Sequence, residues 1–427
     1  MSTLPGAPQL AQVHGTLMLE GQALDALARR FGTPLFVYSR AAMREAAAAY
    51  QCALEGRRHL LCYAMKANSN LAVLQVFAEM GCGFDIVSGG ELARVLAIGA
   101  SASKIVFSGV GKTRAEMRQA LQAGVRCFNV ESTAELDVLN AEALALGQRA
   151  PVSLRVNPDV DAGTHPYIST GLKNNKFGIA HREAVAAYRH AASLPGLRVV
   201  GIDCHIGSQI TQLAPYVDAL DRLLDLVEQV EASGIPIHHV DVGGGLGITY
   251  TDEAPPRADE LMARLLARLD ERGHSHREVL LEPGRSLVGN AGVLLTEVLV
   301  TKPSIEPDGK NFCIVDAAMN DLVRPAMYQA WMGIEPCIER AGPRLTWDVV
   351  GPVCESGDWL GRDRALAVQA GDMLAVLSAG AYGMTMASNY NTRPRAAEVM
   401  LDGSQAHLIR DREQVAQLFA GERLLPR

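Results

Sequence analysis

The stretch His59-Leu60-Leu61-Cys62-Tyr63-Ala64-Met65-Lys66-Ala67-Asn68 places an apolar run of strand length directly before a lysine. Outward from it, similar short runs, apolar or β-branched, recur at 83–87, 105–108, 127–130, 152–156, 199–205, 239–242 and 279–282. Segments of helical period lie between them, at 71–79, 91–98, 113–123, 133–146, 182–192 and 216–231. Such alternation predicts a parallel sheet with crossover helices. With the first run included there are eight strands, which fits a closed (β/α)8 TIM-like barrel; an open doubly wound sheet has a similar local pattern. The Ala-rich stretch 41–49 reads as one more helix.

The residues at the run ends favour the barrel. Lys66, Asp85, Glu131, Arg155, His205, Gly243, Gly244, Gly245 and Glu282 all fall at or near them. In a barrel the strand ends converge on one face, where the active sites of that architecture lie. An open sheet would spread the same residues along an edge.

After residue 290 the texture changes. Short strands at 293–300, 312–315, 347–350, 366–368 and 373–377 are separated by Gly, Pro and Asp turns. Three parts are therefore expected: an N-terminal segment 1–42, a barrel domain 43–290 and a β-rich C-terminal domain 291–427, of barrel or sandwich type. The strand 35–38 of the first part is expected to join the sheet of the third.

A chain of 427 residues is long enough for two cores. Its 48% hydrophobic and 20% charged residues are ordinary for a soluble globular protein. A net charge of −7 offers no basic excess for nucleic acid. No apolar stretch is long enough to span a membrane, and the segment from Met1 to Leu19 lacks a cationic start followed by an apolar run. A cytoplasmic protein is expected. The eight cysteines are scattered, without a C-x-x-C pair, and read as thiols; no metal is expected.

Four motifs carry chemistry. Lys66 ends an apolar strand, where burial lowers an ammonium pKa and makes the amine a nucleophile toward an aldehyde. Taken alone, such a lysine more often snorkels to solvent. Asp241-Val242-Gly243-Gly244-Gly245-Leu246-Gly247 follows the seventh run, and its glycines let backbone amides approach an anion. Loops after barrel strands seven and eight are the usual phosphate cradle. Glu282-Pro283-Gly284-Arg285 follows the eighth run with a carboxylate for a protonated pyridine and a guanidinium for an anion. Cys204-His205-Ile206-Gly207-Ser208-Gln209 offers a flat ring for stacking and a hydroxyl for phosphate. Each has a structural alternative, but four on one face argue for a single site.

Together these motifs resemble the alanine-racemase-like (fold-type III) pyridoxal-phosphate enzymes and, among them, the diaminopimelate decarboxylase family. The likeness extends to Gly83-Phe84-Asp85-Ile86-Val87-Ser88, Asn175-Lys176-Phe177-Gly178, Cys354-Glu355-Ser356-Gly357-Asp358, Ala381-Tyr382-Gly383 and the segment from Asn389 to Arg395. The resemblance implies pyridoxal 5′-phosphate linked to Lys66, with His205 stacked on its ring and Glu282 at its nitrogen. It implies that Ser208, Gly243, Gly244, Gly245, Pro283, Gly284, Arg285 and Tyr382 hold the phosphate region, supported by Asp85 and Arg155. Arg285, Arg324, Tyr328, Glu355 and Tyr382 are implied to contact substrate, with Cys354 as proton donor. Asp358 and Glu355, beside Cys354, are expected to oppose early thiolate formation.

The family implies a homodimer whose sites are completed across the interface. It also implies conversion of meso-2,6-diaminopimelate to L-lysine and CO2, with an ornithine or arginine decarboxylase or a racemase of the same fold as alternatives. Arg324 is the discriminating residue, because only diaminopimelate brings a distal carboxylate.

Overall fold

The computed structural model describes residues 4–161 and 175–426. The chain divides into two compact units, one of Met1–Met43, Thr249–Glu253 and Val288–Arg427, the other of Arg44–Ile248 and Ala254–Leu287.

The second unit is an eight-stranded barrel. Its strands are β1 His59–Ala64, β2 Gly83–Ile86, β3 Ile105–Phe107, β4 Cys127–Val130, β5 Ala150–Asn157, β6 Leu197–Asp203, β7 His239–Asp241 and β8 Glu278–Leu281. Each pairs in parallel with the next, and β8 pairs with β1, so the sheet closes without an edge. Helices α1 Leu71–Glu79, α2 Gly89–Ala97, α3 Arg114–Ala123, α4 Thr133–Ala145, α5 Ala184–Ser193, α6 Ala214–Ala232 and α7 Ala258–Glu271 make the crossovers. Their starts are locally encoded: Ser88, Thr113 and Ser132 each accept a backbone N–H as N-cap, and Glu116 completes a capping box. The doubly wound alternative is excluded by closure. The first strand ends at Ala64, not Met65, because Met65–Ala67 turns into one 3₁₀ helix carrying Lys66.

Strand periodicity layers the barrel interior. Leu60, Cys62, Val106, Cys127, Val200 and Leu280 form a buried apolar cluster drawn from five strands. Two residues further on, Cys127 of β4 gives way to Asn129, and Leu280 of β8 to Glu282 just past the strand end, both buried. An apolar floor thus lies beneath a polar layer. At each buried leucine the apolar contact contributes about 2 kcal/mol.

The other unit contains a mixed sheet. Leu35–Ser39 pairs antiparallel with Gly292–Lys302 and parallel with Ala397–Asp402, and so lies between two strands from the C-terminal part of the chain. The core of this unit includes Leu17, Leu24, Val37, Leu295, Ala375 and Val399. Expected strands near 293, 312, 347 and 373 appear as Gly292–Lys302, Asn311–Val315, Leu345–Val350 and Met373–Val376. The one expected at 366–368 is misplaced: the strand is Trp359–Leu366, whose Gly361 and three consecutive charges, Arg362, Asp363 and Arg364, hide its period. Among the described residues no helix is long and apolar enough to cross a membrane.

Candidate active site

The cofactor-type residues of the sequence reading are all in the barrel unit, except Tyr382. Lys66 Nζ donates to Asp85 Oδ2 at 2.8 Å, and the Asp85 side chain is wholly buried. Asp85 and Arg155 lie within β2 and β5 rather than past their ends. Arg155 Nη1 donates to Glu131 Oε1 at 3.1 Å, with its guanidinium 5.0 Å from the Phe177 ring centre. Glu131 also accepts the N–H groups of Gly109, at 2.9 Å, and Gly178, at 3.0 Å. One buried carboxylate thereby ties β4 to the loop after β3 and to the Asn175-Lys176-Phe177-Gly178 motif.

The glycine loop is a close approach of backbones. Gly243 has φ +68°, and a Cβ there would collide with the Cys204 carbonyl oxygen; on Gly244 it would collide with that of Glu282. Gly245 O accepts Ile210 N at 2.9 Å, and Ile210 O accepts Gly247 N at 2.9 Å, so the loops after β6 and β7 are laced together. The Gly244 N–H donates to His205 Nδ1 at 3.2 Å, which assigns any ring proton to Nε2. Burial, then Arg155 and Lys66, hold His205 well below the usual histidine range. It is a neutral ring, suited to stacking.

Arg285 opens the short helix after β8, and its Nη2 and Nε donate to Ser208 Oγ at 3.0 and 3.3 Å. Pro283 O accepts the Ala64 N–H at 3.0 Å, and Gly284 packs against Ala64 and Ala67, so the 282–285 turn sits against the end of β1. Glu282 is buried; its Oε1 accepts Asn129 Nδ2 at 3.0 Å and Ser108 Oγ at 3.4 Å. Burial first, then the neighbouring carboxylates Asp241, Asp85 and Asp203, raise its pKa well above the ordinary range. Sequence reading missed Ser108, Asn129 and Asp203, and gave Asp241 no role of its own at the head of the glycine motif. For Ser108 and Asn129 the signal was period-two spacing from the inward Val106 and Cys127, but all four resemble any polar residue near a strand end.

These residues fit pyridoxal 5′-phosphate. A lysine amine, a buried acid held by an amide, a flat neutral imidazole and a glycine cradle beside an Arg–Ser pair would suit its aldehyde, pyridine, ring face and phosphate respectively.

The residues expected at the substrate lie in the other unit, except Arg285. Arg324 is buried at the start of a short helix, Arg324–Tyr328, with its guanidinium 5.4 Å from the Tyr328 ring centre and 5.9 Å from those of Tyr250 and Tyr382. Tyr250 was not singled out from sequence. Tyr382 adopts φ +55°. Cys354 is exposed, and its N–H donates to Asn391 Oδ1 at 3.0 Å. The Glu355 side chain is hydrogen-bonded with Tyr390 and raises its pKa. The Asp358 carboxylate accepts the N–H groups of Met319 and Val353, each at 2.7 Å, and so pins the loop that carries Cys354. By contrast Cys62, Cys127 and Cys204 are buried thiols raised well above the usual range by burial.

The sequence pattern described as "Pyridoxal-dependent decarboxylase, pyridoxal binding domain" matches residues 40–289. A protein of Pseudomonas fluorescens named "Diaminopimelate decarboxylase" is 59% identical over 413 residues, covering 96% of this chain and 98% of its own. The chain belongs to the diaminopimelate decarboxylase family. Two solved structures of family members are similar throughout. The diaminopimelate decarboxylase of Helicobacter pylori, complexed with L-lysine, has TM-score 0.88 at 40% identity and covers 93% of this chain and 98% of its own. That of M. jannaschii, in co-complex with L-lysine, has TM-score 0.93 at 38% identity and covers 99% of each chain.

Proposed function

We propose that this chain, as a pyridoxal-phosphate-dependent carboxy-lyase, converts meso-2,6-diaminopimelate to L-lysine and CO2, the last step of lysine biosynthesis. The observation that carries the reading is the 59% identity to a named diaminopimelate decarboxylase over 96% of the chain. Bound in the barrel, the cofactor supplies an aldehyde for amines and a ring that takes up the electron pair left by departing CO2.

The protein's own residues do the rest. Lys66 provides the amine that holds the cofactor, with Asp85 fixing its direction at 2.8 Å. His205, Ser208, Gly243, Gly244, Gly245, Pro283, Gly284, Arg285 and Tyr382 bind and orient it, and Arg155 braces the wall beside it. Glu282 keeps a proton at the ring nitrogen, which strengthens the electron sink. Cys354 gives a proton to the carbon that lost CO2. Arg285, Arg324, Tyr328, Glu355 and Tyr382 bind substrate, and Arg324 reads its distal carboxylate as a charge-assisted pair.

Segment 43–290 carries the cofactor, segment 291–427 the substrate and interface residues, and segment 1–42 a strand of the C-terminal sheet. The working form is a cytoplasmic homodimer in which Cys354 and Glu355 serve the partner's cofactor.

CO2 release from meso-diaminopimelate, ornithine and arginine by purified protein with pyridoxal phosphate tests the reading. Diaminopimelate is expected to be preferred by ~10⁴ or more, since a site with buried polar groups rejects analogues that leave them unmatched. Faster turnover of ornithine or arginine overturns it.

A further inference from the structure

The barrel register sets two acids side by side. Asp203 on β6 and Asp241 on β7 are paired positions of adjacent parallel strands, and Asp203 is likewise paired with Arg155 on β5. Glu282 follows β8. One oxygen from each of Asp203, Asp241 and Glu282 lies within 4.8 Å of the others, and all three residues are buried. Asp241 Oδ1 accepts the Gly243 N–H at 2.9 Å, and its side chain is hydrogen-bonded with Glu282. Among the described residues, both oxygens of Asp203 and Oδ2 of Asp241 have no hydrogen-bond partner.

The charges around this cluster do not neutralise it. Lys66 is engaged by Asp85 at 2.8 Å and Arg155 by Glu131 at 3.1 Å, so each nearby cation already has its own carboxylate. The thiols of Cys62, Cys127 and Cys204 and the imidazole of His205 face the same interior as uncharged groups. Three anions at this spacing in a low-dielectric interior repel too strongly to coexist, and carboxyls that share a site retain protons. Burial, reinforced by the neighbouring acids, raises all three above the ordinary carboxylate range.

We propose that Asp203 and Asp241 are positioning residues that act through Glu282: Asp203 stays neutral, while Asp241 and Glu282 hold between them the one proton that passes to the cofactor's ring nitrogen. In that transfer an O–H bond of the pair breaks and an N–H bond forms on the ring, leaving two carboxylates beside one cation. Asn129, bonded to Glu282 Oε1, keeps the pair aimed. The inference rests on the pyridoxal-phosphate reading of the site.

Infrared spectroscopy and visible absorption of the cofactor-loaded, full-length protein test it. At neutral pH the wild type should show a protonated-carboxyl carbonyl stretch that Asp203→Asn removes. In Asp241→Asn the pH midpoint of the visible band should fall by about one unit, because the ring cation loses a neighbouring anion. Its Kd for pyridoxal phosphate should rise about tenfold. The Asp203→Asn shift should be much smaller, since an amide replaces a neutral acid of the same shape.

A wild type without the protonated-carboxyl stretch overturns the proposal without recourse to any variant, and so does an equal midpoint shift in both variants. Loss of the stretch on adding Mg²⁺ overturns it too, by assigning the three oxygens to a cation. Failure of the cofactor reading registers separately, as a protein with no visible absorption after incubation with pyridoxal phosphate.

Discussion

Lys66 Nζ and Asp85 Oδ2 are 2.8 Å apart, joining the turn after β1 to the neighbouring strand β2. The aspartate is fully buried and the lysine partly exposed, so the contact aims an otherwise mobile four-carbon arm into the barrel mouth. Asp85→Asn keeps the shape but removes the charge. A hydrogen bond to a charged group is worth about 1.5–3 kcal/mol, so kcat/KM should drop by roughly one to two orders of magnitude. Lys66→Ala should abolish covalent trapping of the cofactor by borohydride, which mass spectrometry reads directly.

Gly244→Ala should uncouple the phosphate cradle from the fold. The new Cβ would collide with the Glu282 carbonyl, which must move and carry the acid with it. We expect pyridoxal-phosphate affinity to weaken by at least about tenfold in a fluorescence titration, together with a stability loss of roughly 1–3 kcal/mol. Unchanged affinity would mean that the loop does not bind phosphate.

Arg324→Lys tests the distal site. Lysine keeps the charge but loses the planar fork and its stacking against Tyr250, Tyr328 and Tyr382. KM for diaminopimelate should rise by about ten- to a hundredfold, with a smaller change in kcat. Steady-state kinetics separate the two.

Cys354 and Cys52 are the exposed thiols among the eight cysteines. A thiol reagent should label both before the six buried ones, and L-lysine should protect Cys354 while leaving Cys52 reactive. Cys354→Ala should lower kcat by about 10²–10⁴, the usual contribution of a general acid. Full activity in that variant would remove Cys354 from the mechanism.

Stability should fall on acidification in a way traceable to His239. Burial, with Arg126 and His238 adding to it, pushes this imidazole down to about 3. Its folded pKa is thus below the unfolded value of about 6.5. The unfolded chain therefore binds the extra proton first, and the contribution, complete above that value, is lost as pH falls through it toward 3. His239→Gln should flatten the dependence of Tm on pH in that window. An equally steep dependence in the variant would assign the acid sensitivity to other groups. The residue is boxed in, since a Cβ on its register partner Gly201 would overlap the ring.

The sequence by itself determined the alternation of strands and helices, because period-two and period-3.6 apolar spacing is local. It also determined the four motifs around Lys66, His205, Gly244 and Glu282, because each is contiguous along the chain. The strand Trp359–Leu366 was misplaced, since what makes it a strand is pairing with Leu345–Val350, a neighbour distant in sequence, and not its own pattern. Closure of the barrel was decided only in three dimensions, by the pairing of β8 with β1. So was the pinning of the Cys354 loop by Asp358, whose carboxylate accepts backbone N–H groups of Val353 and the distant Met319. Asp203 and Asp241 are 38 residues apart and individually unremarkable, yet register makes them partners. Charge interactions depend on distance and dielectric, and only the folded barrel fixes both.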